Sequence, residues 1–228
     1  MFGLDEGIAS FSNGTTLLIV VGVSVLLGLR HASDPDHLAA VATMVASGKD
    51  RVAHRAARLG LSWGLGHATT LFVFGLPVVL YSAYLPEPVQ KAAETSVGFV
   101  IVLLAGTLLL RWRRGAYRIG SAHTHKATRS GWQAYGIGLV HGLGGTAGVG
   151  LLLLATIHSR PLAISALAIF AFCTALSMTM LSTGVGFALS RGPVRRSFDR
   201  VAPVLGCTSL IFGVWYALGA QGVVPYML

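Results

Sequence analysis

Arg30-His31-Ala32-Ser33-Asp34-Pro35-Asp36-His37 stands in the middle of an apolar run from about Thr15 to Ser47. As one helix the run would measure about 50 Å, against roughly 30 Å for the hydrocarbon core of a bilayer. Pro35 has no amide hydrogen and disfavours helix in the residue before it, so the segment is expected to break there. Non-helical backbone at that depth is tolerated only where protein or a water-filled cavity surrounds it. An ionisable side chain in hydrocarbon costs roughly 2.5–3.5 kcal/mol on insertion scales. The run carries Arg30, His31, Asp34, Asp36 and His37 at its centre. Nothing in helix propensity or packing asks for them, which makes the break a candidate site. The competing reading is an internally neutralised network, with Arg30 offsetting Asp34 or Asp36.

Outward from this stretch, the remaining sequence is that of a polytopic membrane protein. Of its 228 residues 54% are apolar and only 11% charged, and the mean hydropathy is +0.70. Six spans follow, at about 15–47, 59–84, 95–112, 133–157, 162–190 and 202–220. The connections are short and polar, and no linker divides the chain, so 1–228 reads as a single all-α transmembrane domain. The N-terminal stretch has Asp5 and Glu6 but no Lys or Arg, so it lacks the basic start of a signal peptide, and the first run is expected to be retained. Cys173 and Cys207 lie inside apolar runs and form no disulfide framework.

The basic residues test that topology. Those after spans one, three and five are Lys49, Arg51, Arg55, Arg58, then Arg111, Arg113, Arg114, Arg118, Lys126, Arg129, then Arg191, Arg195, Arg196 and Arg200. Lys91 and Arg160 follow spans two and four, and only Arg30 lies in the membrane. Six alternating crossings give this split, and the positive-inside rule puts both termini outside the cytoplasm. The net charge of +9 is then an orientation signal and no sign of nucleic acid as a partner. With three spans per half, a repeat must be inverted in the membrane, a recurrent transporter plan. Gly28-Leu29-Arg30-His31 and Gly138-Leu139-Val140-His141 give a faint trace of one.

Two further histidines complete a candidate site. His37, His67 and His141 each fall about nine or ten residues from the cytoplasmic end of their spans. That is roughly 13–15 Å deep, near the midplane. A lone buried His usually marks a satisfied hydrogen bond. Three at one depth, with Asp34 and Asp36, point to a cation. Imidazole suits Ni, Co, Cu, Zn and Fe, carboxylate supplies charge neutralisation, and the lack of thiolate pairs argues against Cu(I). Gly60/Gly64, Gly138/Gly142 and Gly144/Gly148 have the spacing of close-packed helix faces.

His31-Ala32-Ser33-Asp34-Pro35-Asp36-His37 resembles the His-x4-Asp-His signature of the nickel/cobalt transporter (NiCoT/NicO) family. Leu65-Gly66-His67-Ala68-Thr69 is similar to its second motif, Leu-Gly-His-Ser/Thr, and His141-Gly142-Leu143-Gly144-Gly145 to a His-Gly-Leu-x-Gly element of shorter, urease-accessory-like relatives. The resemblance implies a secondary transporter for Ni²⁺ or Co²⁺ in a bacterial cytoplasmic (inner) membrane. It places His31, Asp36, His37 and His67 on the metal path, with Asp34 and His141 as further or supporting ligands. It implies no prosthetic group, and as partners the cation, the bilayer and a cytoplasmic metallochaperone or urease-maturation proteins. The chain departs from the family's larger members in having six spans rather than about eight, and in Ser33 and Pro35 within the first motif.

Two alternatives stay open. One is a membrane metalloenzyme, against which stand the lack of His-Glu-x-x-His, of a Gly-x-Ser-x-Gly nucleophile and of glutamate in any span. The other is an accessory subunit of a metal-import system. His123 and His125 in the basic loop, and Cys173 with Met178 and Met180, are weaker metal candidates. Trp63, Trp112, Trp132 and Trp215 are expected near the membrane interfaces.

Overall fold

Pro35 begins a helix instead of interrupting one. In the computed structural model, which describes residues 2–46, 53–81, 86–115, 130–144, 157 and 159–225, α1 spans Phe2–His31 and α2 spans Pro35–Ala46. Between them Ser33 N–H donates to the Arg30 carbonyl at 2.8 Å and Asp34 N–H to that of His31 at 3.2 Å, closing a tight turn. The first helical position needs no amide hydrogen, so Pro35 costs nothing there. The two helices meet at a bend of 51°. The first span is therefore broken where the sequence indicates, though α1 starts well before Thr15.

Five further helices follow: α3 Ala53–Tyr81, α4 Glu87–Arg113, α5 Gly131–His141, α6 Arg160–Ser190 and α7 Gly192–Ala220, with no strand among the described residues. Among them α3, α4, α6 and α7 are long and apolar enough to cross a membrane, and the bent α1–α2 pair makes a fifth crossing. At 11 residues, α5 covers only about 16 Å. The rest of the expected fourth span, 145–156, lies outside the described residues, as do His123, His125 and Gly148. The expectation of six spans is thus approximate. Leu26, Phe172 and Ile211 face outward and exposed, while His31, Asp34, Asp36, His37, His67 and His141 are buried. That inside-out distribution is what lipid as solvent selects.

Helix directions come from close approaches at glycine. Gly60 lies against Met178 and Ser182 and Gly64 against Ala175, so α3 and α6 run antiparallel. Gly98 meets Gly213 and Ala217 while Gly206 meets Leu109, so α4 and α7 do the same. Gly66 packs on Tyr135 and Leu139, Gly138 on Trp63 and His67, and Gly142 on His67 and Thr70, which makes α5 run parallel to α3. Alternating crossings require this pattern.

The same contacts accord with the repeat expected from the sequence. A Cβ on Gly138 would overlap the Trp63 carbonyl and sit 2.9 Å from the His67 amide nitrogen. A Cβ on Gly28 would sit 2.7 Å from the Phe170 carbonyl and 3.1 Å from the Thr174 amide nitrogen. Each glycine is a point of close helix contact followed after three residues by a histidine, although Gly66 and Gly98 make contacts of the same form. An antiparallel α3 and α6 is what a repeat inverted in the membrane requires. Of the glycine faces, Gly60/Gly64 serves α6, and Gly138/Gly142 brings α5 onto α3 beside the histidines.

Two expectations are corrected. Trp63 is fully buried, its ring 5.6 Å from that of His37, instead of lying at an interface. And α4 begins at Glu87 instead of Thr95, drawing Glu94 into a buried position where Gln90 Nε2 donates to it at 3.1 Å. A glutamate therefore does stand inside a spanning helix.

Candidate metal centre

The bend delivers its side chains in pairs. His31 closes α1, and its Nδ1 lies 3.2 Å from Asp34 Oδ2. Asp36 and His37 open α2, with His37 Nδ1 3.0 Å from Asp36 Oδ1. A carboxylate that accepts from Nδ1–H fixes the tautomer and leaves Nε2 as a bare donor atom, the arrangement metal-binding imidazoles ordinarily have. His31 Nε2 then faces His67 Nε2 of α3 at 3.0 Å, and His37 Nε2 is buried without a hydrogen-bond partner.

His141, the last residue of α5, enters from the other side. Its ring centroid is 4.6 Å from that of His37, and its Nε2 is 3.3 Å from Asp36 Oδ2. The contact is close enough for charge attraction, yet its angles are not those of a hydrogen bond, and both atoms remain without one. His37 and His67 are 5.0 Å apart, His31 and His37 4.6 Å. All six expected residues, His31, Asp34, Asp36, His37, His67 and His141, are buried, and the bundle brings them together.

Three donor atoms from His31, His37 and His67 lie within 4.8 Å of one another, and so do three from Asp36, His37 and His141. Buried polar atoms without partners are costly, about 1–3 kcal/mol each. Asp36 Oδ2, His37 Nε2, His67 Nδ1 and both nitrogens of His141 are such atoms, all on residues of these two groups. A cation stripped of its water needs such a set of lone pairs.

The neutralised-network reading accounts for less. Arg30 reaches Asp34 at 3.7 Å, but its side chain is 71% exposed and Asp36 is turned to histidines. Cys173 packs on Gly28, and Met178 lies in the core with Trp63 and Met44, which is what packing residues do. Sequence reasoning missed Trp63 and Phe170 as walls: their rings lie 5.5 Å from His141 and 5.8 Å from His31. Trp63 was findable, because it stands one turn before His67 on the same helix face.

Residues 17–121 match the profile of the family described as "NicO: High-affinity nickel-transport protein". The match covers the bend, His67 and α4, and ends before His141. Over 211 residues the chain is 28% identical to "Urease accessory protein UreH" of Bacillus sp. (strain TB-90), across 88% of this chain and 91% of that protein. No solved structure matches. The resemblance drawn from the His31–His37 and His67 motifs is borne out in a nickel-transport family profile.

Proposed function

We propose, from a NicO-type segment joined to a buried imidazole cluster, that the chain is a secondary transporter of a divalent transition-metal cation, nickel or its neighbour cobalt. The observation that carries this reading is the gathering of four buried imidazoles and Asp36, with Asp36 Oδ2, His37 Nε2, His67 Nδ1 and both His141 nitrogens lacking a hydrogen-bond partner. His31, Asp36, His37, His67 and His141 supply the ligands along the ion's path, and Asp34 orients His31. Their chemistry is that of borderline divalent ions. The ion is cargo and passes by alternating access around the α1–α2 bend.

The chain sits in the bacterial cytoplasmic membrane with both termini outside, and delivers metal inward to cytoplasmic acceptors of the urease-maturation type. Loop charge supports this orientation. So does the name of the UreH relative, which ties that protein to urease. Expression in cells lacking other nickel uptake, followed by elemental analysis, tests the assignment: nickel or cobalt is expected to accumulate above the empty-vector level. Accumulation of neither would remove it.

Coupling follows from the facing nitrogens. His31 Nε2 and His67 Nε2, 3.0 Å apart, share either one proton or one cation. Metal takes the place of the shared proton, and coupling holds where that proton leaves the protein instead of moving to the other ring nitrogen. In proteoliposomes loaded with nickel buffer, an opposing proton gradient is expected to raise the uptake rate severalfold. Equal rates with the gradient collapsed by an ionophore would remove proton exchange while leaving the transport assignment standing.

A further inference from the structure

We propose that the cluster is two overlapping cation stations that share His37, each closed by one aromatic ring. This inference rests on the transport reading and specifies how the ion moves within it. The first station is His31, His37 and His67; the second is Asp36, His37 and His141. His67 and His141 are the most widely separated of the measured ring pairs, at 6.2 Å, and His37 lies nearer to each, at 5.0 and 4.6 Å. The donor atoms gather within 4.8 Å as two groups and not as one set of four imidazoles, so as they stand they offer an ion one group or the other. The ion passes between stations by exchanging two ligands while His37 holds on, so it is never bare.

The helix packing gives the stations their sides. Phe170 stacks near His31 at 5.8 Å and Trp63 near His141 at 5.5 Å. Trp63 precedes His67 by a turn on α3, and Phe170 precedes Thr174 by a turn on α6. The two helices are antiparallel, so the two rings lie on opposite sides of the cluster. Both rings are fully buried, which closes the cluster above and below at once. The Trp63 indole N–H has no acceptor, as Asp36 Oδ2 and the His141 nitrogens have no partner. The stations also differ in chemistry. The first is three imidazoles and the second includes a carboxylate, so the two shells are distinguishable by their ligand atoms.

The purified full chain in detergent, titrated with Co²⁺ or Ni²⁺ and followed by visible absorption and X-ray absorption, tests this. Wild type is expected to bind one ion per chain. His67→Gln and His141→Gln, if monodisperse by gel filtration, should each still bind one ion about tenfold more weakly. His67→Gln should show a carboxylate oxygen in the shell and His141→Gln imidazole alone, while His37→Gln loses binding at least a hundredfold. Abolition of binding by either His67→Gln or His141→Gln would make the cluster a single undivided site and overturn the proposal. The wild type provides a reading independent of any variant: a shell of four imidazoles, or two ions per chain, also overturns it. A wild type that binds no metal would instead remove the transport reading beneath it.

Discussion

Nickel accumulation is expected to fall at least about a hundredfold when His37 is replaced by alanine, with the protein still inserted and present at normal levels. The magnitude follows from position. Loss of a supporting group around a metal commonly costs 10–100-fold in affinity or activity, and His37 stands in both groups of converging donors. Its ring touches those of His31, His67, His141 and Trp63 within 4.6–5.6 Å, so no neighbouring side chain can take its place without a helix moving. Removing it also frees Asp36 Oδ1 from its hydrogen bond, leaving an uncompensated carboxylate in the bundle core. Whole-cell nickel content, normalised to membrane-inserted protein, checks the result. Leu26→Ala, at an outward-facing position 68% exposed, is the matched control and should leave accumulation unchanged. Accumulation in His37→Ala within twofold of wild type would take the cluster off the transport path.

Much of this centre was legible because membrane insertion penalises what chemistry requires. Five ionisable residues around Pro35 stand out against hydrocarbon as they never would in a soluble chain. Pro35 fixed the break for the same local reason that it opens α2. The depth of His37, His67 and His141 could be counted because helices in lipid have a known rise and a common frame. The helix starts were less legible. Residues 87–94 of α4 include Glu87, Gln90, Lys91 and Glu94 and give no apolar signal, yet Pro88 in the first turn favours a helix start there and Lys91 pairs with Glu87 at 2.7 Å. Long-range pairings were out of reach. The approach of Asp36 to His141, and the stacking of Phe170 near His31, depend on how α5 and α6 pack, and no spacing within either helix encodes that. The inverted repeat lay between these cases: three letters match in Gly28–His31 and Gly138–His141, and the close backbone contacts of both glycines accord with it.

Those glycines carry the second large effect. Gly138→Ala is expected to lower transport more than tenfold while Gly136→Ala, two residues earlier on the same helix, leaves it unchanged. A methyl at 138 would overlap the Trp63 carbonyl oxygen, a backbone atom that cannot swing aside, whereas at 136 it meets nothing within 4 Å. The helix must therefore move off α3 by on the order of 1 Å, and misplacements of that size can cost about a hundredfold in function. Thr70 Oγ1 donates to the Leu139 carbonyl at 2.9 Å, so the same displacement strains the bond that ties α3 to α5. His141 travels with its helix and leaves Asp36, while His31, His37 and His67 keep their places on α1, α2 and α3. The variant should accordingly lose thermal stability by about 1–3 kcal/mol, the usual cost of overpacking. Transport in proteoliposomes at equal protein, together with a melting curve in detergent for both variants, separates a shifted helix from general damage. If Gly138→Ala transports like Gly136→Ala, the close approach of α5 to α3 does not set the position of His141, and the route of the ion past that residue has to be drawn elsewhere in the bundle.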